Sequence, residues 1–176
     1  ELYTQSVHLL ETLEGEEAQK AQAEISSLLR KMEEKDPELS KVWDETRQWS
    51  MDDFEEIYRW LDIRFDHYFY ESDVDEEGRQ MVLQGEMDGT FILSEGAIGI
   101  DLEEENLGFF MLLKSDGNTL YSTKDLALAR RKFDQFSIDR SVYVVGAEQT
   151  LHFKQVFATL KRLGYAQAEH CYHLPY

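Results

Sequence analysis

Ser141-Val142-Tyr143-Val144-Val145-Gly146-Ala147-Glu148-Gln149 leads into Thr150-Leu151-His152-Phe153-Lys154-Gln155-Val156-Phe157, then to Gly164 and to Cys171-Tyr172-His173-Leu174. Val142 to Val145 are β-branched or aromatic without polar alternation, which predicts a buried strand over Ser141–Gly146. From about Gln149 to Leu163 the apolar residues return at helical spacing. Gly164 ends that helix as a residue able to take the left-handed conformation at its C-terminus. A second strand is expected over Cys171–Leu174. Strand, helix and strand in this order predict a parallel sheet in an α/β fold.

Working outward, the same alternation extends upstream. A helix is expected from about Thr123 to Phe136, preceded by Leu120-Tyr121 and by Ser115-Asp116-Gly117-Asn118, whose Asp and Gly favour a tight turn. Ala97–Leu102 and Gly108–Leu113 read as strands joined by a hairpin-like polar connection, Glu103-Glu104-Glu105-Asn106. Residues 75–87 suit a short helix. Ile63, Phe65 and His67 alternate with Arg64, Asp66 and Tyr68, which predicts a strand ending near Tyr70.

The first third reads differently. Val7, Leu10, Ala18, Ala21, Ile25, Leu28 and Met32 recur at helical spacing with a break at Gly15. Asp36-Pro37 restarts the pattern as a cap followed by a proline at the first helical position. Ser50-Met51-Asp52-Asp53 reads as a further helix start. Three or four helices are therefore expected over residues 1–62, as an N-terminal covering layer whose aromatic stripes belong to a core. Residues 63–176 form the sheet-bearing part.

The chain has 176 residues, enough for one ordinary domain, with 10 Phe, 9 Tyr and 3 Trp to build a core. Its net charge of −18 argues against a general nucleic-acid-binding surface. Residues 1–110 hold 30 acidic and 9 basic side chains, whereas residues 111–176 hold 6 and 9. Most such carboxylates serve a solvated face, and a few can face a cationic ligand. One cysteine, Cys171, excludes an internal disulfide and fits a reducing, cytoplasmic compartment. No apolar run is long enough for a membrane span.

Ligands in parallel sheets sit beyond the carboxyl ends of strands. Tyr121-Ser122-Thr123-Lys124-Asp125 occupies one such strand-to-helix junction, with Thr123 as a plausible N-cap. Gly146 to Gln149 occupies another, with His152 on the same helical face as Gln149. Glu71-Ser72 follows the strand expected before Tyr70. Two carboxylates and a phenol converging on one cleft suit a guanidinium, whose planar fork pairs with carboxylates. His170 and His173 would point to opposite faces of a strand, so no metal site is assigned. Phosphate-binding glycine loops and a nucleophile elbow are missing from these residues.

The second half resembles the catalytic domain of arginyl-tRNA synthetases, a class I aminoacyl-tRNA synthetase family. The resemblance runs through Lys114-Ser115-Asp116-Gly117-Asn118-Thr119-Leu120-Tyr121-Ser122-Thr123-Lys124-Asp125-Leu126-Ala127. It continues in Ile138 to Gln149, in Leu151-His152-Phe153-Lys154-Gln155 and in His173-Leu174-Pro175-Tyr176. Glu95-Gly96-Ala97-Ile98 with Asp101-Leu102, and Tyr58, Leu61, Phe65 and Glu71-Ser72, extend it upstream. Tyr70 stands where the family usually has Gly before Glu-Ser. Neither the His-Ile-Gly-His nor the Lys-Met-Ser-Lys type signature occurs in these residues, so the chain is expected to be a piece of a larger protein.

The resemblance implies a Rossmann-like fold and a two-step reaction that joins arginine to tRNA(Arg). The arginine carboxylate attacks ATP, a substrate that brings Mg2+, and the tRNA ribose hydroxyl then takes the arginyl group. It implies that Glu71 and Asp125 bind the guanidinium with Tyr121 beside them, that Gln149 lies near the amino and carboxylate end, and that His152 lies near the adenylate. Lysine is expected to be rejected, because a point charge leaves part of a bidentate acceptor set unpaired. The alternative is a non-catalytic arginine-binding or interaction module sharing this pocket.

Overall fold

Capping chemistry and helical periodicity set the elements of the first 66 residues. The computed structural model describes residues 2–176, apart from the side chains of Leu2 and Glu33, and separates into two units, one ending at Asp66 and one starting at His67. The first unit holds α1 (Leu2–Thr12), α2 (Gly15–Glu33) and α3 (Pro37–Trp60). Asp36 caps α3: its Oδ1 accepts from the backbone N–H of Glu38 at 3.0 Å and of Leu39 at 3.1 Å.

Two expectations fail in this unit. No helix starts at Ser50, because α3 runs through it unbroken. Gln48 Nε2 donates to Asp52 Oδ1 at 2.8 Å, one turn apart, so the polar residues that resemble a cap are satisfied inside the helix. The aromatic stripe is also not core, since α3 has no buried residue and Trp43, Trp49, Phe54 and Ile57 are all exposed. Apolar spacing marks a face that favours cover without supplying the cover.

Residues 63–70 do not form the expected strand either. They run as an irregular connection. Before the division Phe65 packs edge-on against Tyr58, with ring centroids 4.9 Å apart; after it, His67 and Phe69 gather on Phe136 at 5.4 and 6.0 Å. Alternation describes two faces, whereas a strand exists through its ladder to a neighbour.

The second unit opens with α4 (Glu71–Met87), longer than predicted, followed by β1 (Ile92–Ser94), β2 (Ala97–Asp101) and β3 (Phe109–Leu113). Next come α5 (Tyr121–Phe136), β4 (Ser141–Val145), α6 (Thr150–Arg162) and β5 (Cys171–Pro175). The parallel pair is β4 with β5, in register from Ser141 opposite Cys171 to Val145 opposite Pro175. β4 is not the buried strand expected: Val142 and Val144 are exposed, because only one face of the pair is covered within this unit. The other three strands form an antiparallel sheet in the order β1-β2-β3. β1 has only three residues, and its turn is Glu95-Gly96, both at positive φ (51° and 83°), as a two-residue hairpin requires.

Core residues come from α4, the antiparallel sheet, α5 and α6: Val82 of α4, Phe91, Ile98, Ile100 and Leu112 from the antiparallel sheet and its approach, Leu126 and Phe133 of α5, and Val156 and Leu160 of α6. α4 and α5 lie close because Gly78 lacks a side chain where a Cβ would come within 2.8 Å of the Thr123 carbonyl oxygen. Arg131 fastens the same pair, donating to Glu77 Oε2 at 2.7 Å and to the Asp73 carbonyl at 2.6 Å. Across from it, Lys132 lies 3.9 Å over the Tyr143 ring and links α5 to β4, and burial draws its pKa down. Among the described residues no helix is long and apolar enough to cross a membrane.

Candidate functional site

Three chain segments carry the site, and hydrogen bonds hold each in place. Ser122 Oγ donates to the Met111 carbonyl at 2.6 Å, and Thr123 Oγ1 donates to the Leu112 carbonyl. Thr123 Oγ1 also accepts from the Leu120 N–H at 3.2 Å. Thr123 is therefore not the N-cap that its position in the sequence suggests. Leu120 holds that place, and the fully buried Thr123 ties the start of α5 to β3. Thr123→Val keeps the shape and removes both bonds, so it is expected to cost about 1–3 kcal/mol, read from chemical denaturation. No loss of stability would contradict this anchoring.

The start of α4 is set by Tyr70 and Asp73. The Tyr70 N–H donates to Asp73 Oδ2 at 3.1 Å, and the Asp73 N–H donates to the Tyr70 carbonyl at 2.9 Å. Glu71 thus stands at a helix start rather than a strand end. At the third segment, the Gln149 N–H donates to the Gly146 carbonyl at 3.1 Å and closes the turn between β4 and α6.

Glu71, Tyr121, Asp125, Gln149 and His152 line one open cleft of about 500 Å3, together with Val145, Glu148 and Phe153. Glu71 is engaged by Lys124, whose Nζ lies 3.0 Å from Glu71 Oε2 and 3.7 Å from Asp75 Oδ1. Burial acts to lower the Lys124 pKa, but the Glu71 hydrogen bond and the charges of Glu71 and Asp75 outweigh it and raise the pKa. Asp125 Oδ2 lies 2.6 Å from His152 Nε2. Tyr121 is largely exposed at the rim, whereas Phe153 is buried behind the cleft. Carboxylates outnumber cations here, so the cleft favours a cationic group that reaches more than one carboxylate.

Lys124, Glu148 and the Asp125–His152 pairing were not assigned from the sequence. One signal was available. Neighbouring helical residues point about 100° apart, so Lys124 and Asp125 must engage different partners. Lys124 turns to α4, and Asp125 turns to α6.

The chain matches, over residues 2–176, the family described as tRNA synthetases class I (R), catalytic domain. The chain belongs to this family. The arginine–tRNA ligase of Bdellovibrio bacteriovorus is 48% identical over 153 residues, 87% of this chain and 26% of the relative. That of Bacteroides thetaiotaomicron is 35% identical over 164 residues, 93% of this chain and 28% of the relative. The chain therefore spans about a quarter of the length of these class I (R) relatives. The crystal structure of arginyl-tRNA synthetase from Plasmodium falciparum matches 90% of the chain with a TM-score of 0.74 at 22% identity. At that identity the likeness supports the class I catalytic fold alone, with β4, α6 and β5 as its parallel unit.

Proposed function

We propose that this chain is a segment of an arginine–tRNA ligase and that its cleft receives arginine. The observation that carries this reading is the convergence of Glu71 from α4 and Asp125 from α5 on one cleft with Tyr121 and Gln149. In this proposal Glu71 and Asp125 take the guanidinium, which Lys124 and His152 leave able to approach on Oε1 and Oδ1. The Tyr121 phenol adds a hydrogen-bonding and stacking edge. The Gln149 amide both donates and accepts, and so serves the end bearing the ammonium and carboxylate.

The proposed reaction is the one that the resemblance to arginyl-tRNA synthetases implies. The arginine carboxylate attacks the α-phosphorus of ATP, supplied with Mg2+, and pyrophosphate leaves. The terminal ribose hydroxyl of tRNA(Arg) then attacks the arginyl carbonyl, and AMP leaves. No bond to the protein forms in either step, so this chain contributes orientation and charge. The assigned compartment is the cytoplasm.

Pyrophosphate exchange tests the proposal. The complete ligase, with tRNA present, is expected to exchange label with arginine and not with lysine. A protein limited to these residues is expected to show only background, since both ATP-handling signatures lie outside them. Equal exchange with lysine would refute the pocket, and full exchange by the short protein would refute this division of roles.

A further inference from the structure

We propose that His152 is a positioning residue for Asp125, holding one carboxylate oxygen so that the other is presented to the substrate guanidinium. This rests on reading the cleft as an arginine pocket, and it gives His152 a role beside its expected place near the adenylate. Three features of the site lead to it.

First, an ionised carboxylate has no hydrogen to give, so in the 2.6 Å contact with Asp125 Oδ2 the proton is on His152 Nε2. The ring nitrogen nearest the cleft carboxylate is thereby committed to it. Second, the imidazole has a fixed plane. Phe110 meets it edge-on with centroids 5.6 Å apart, and Phe153 does so at 5.2 Å. Both phenylalanines are buried, at 5% and 3% exposure, so the ring is clamped by the core rather than by solvent. Third, the two side chains of the pair are only 21% and 27% exposed, so water competes weakly for the bond.

An aspartate alone at a cleft edge rotates about two bonds. Tying Oδ2 to a clamped imidazole removes that freedom before the substrate arrives, which lowers the ordering cost of binding. The phenylalanine edges, the imidazole and the carboxylate thus form a relay of position from the core of this unit to the proposed ligand.

Two variants of similar size separate positioning from packing in the complete ligase. His152→Met fills the space between Phe110 and Phe153 without an N–H donor, whereas His152→Gln retains a donor. His152→Met is expected to raise KM for arginine about tenfold, the scale of one hydrogen bond to a charged group, well beyond any change in kcat or in KM for ATP. His152→Gln is expected to restore most of that loss. Equal effects of the two variants, or an effect falling on kcat or on ATP, would overturn the proposal. If Asp125→Ala impairs arginine use while His152→Met does not, the positioning role alone fails. If Asp125→Ala leaves arginine use intact, Asp125 has no place in the pocket, and the reading on which this proposal rests fails.

Discussion

Asp125→Ala in the complete ligase is expected to lower kcat/KM for arginine by roughly thirtyfold to several thousandfold. Losing one partner of a partly buried, charge-assisted pair costs about 2–5 kcal/mol, and each 1.4 kcal/mol is about tenfold. The Asp125 side chain is 27% exposed and its His152 partner 21%, so solvent screens this site only in part. Asp125→Asn should also be poor, because the amide carries no charge and turns one acceptor into a donor. The loss should fall on arginine rather than ATP. Glu71→Ala should be milder, since the Glu71 side chain is 59% exposed and Lys124 already shares it. An unchanged kcat/KM for arginine in Asp125→Ala would remove Asp125 from the pocket.

Phe91→Ala is expected to destabilise the folded chain by about 3–5 kcal/mol, the range for deleting a buried aromatic side chain. Phe91 is 2% exposed and lies in the core that joins α4 to the antiparallel sheet. Its N–H donates to the Gly85 carbonyl at 2.9 Å, and its ring fills the space where a Gly85 Cβ would stand. Gly85→Ala alone should therefore cost about 1–3 kcal/mol by overpacking. In the double variant the new methyl group enters space left by the ring, so the combined loss should be smaller than the two single losses together. Urea unfolding measures all three proteins. Strict additivity would show that the glycine and the ring do not compete for that space.

The sequence by itself determined the elements whose signals are local. Gly164 ends its helix at positive φ (83°) and Asp36 caps α3, both from residues that interact with near neighbours. The apolar run at Val142–Val145 marked a strand as well, although its ladder to the distant β5 had to come from the fold. Strand-to-helix junctions also directed attention to Tyr121, Asp125 and Gln149, which line one cleft. Tertiary structure decided what depends on a partner. Residues 63–70 alternate like a strand but join no sheet, and the stripe of α3 stays exposed, because periodicity specifies a face and not its neighbour. Thr123 became a buried tie to Leu112 instead of a cap, and Lys124 and Asp125, adjacent in sequence, found Glu71 and His152 53 and 27 residues away. Such pairings are set by how α4, α5 and α6 pack on their sheets, and that packing is a sum over many distant contacts that no short stretch of the chain encodes.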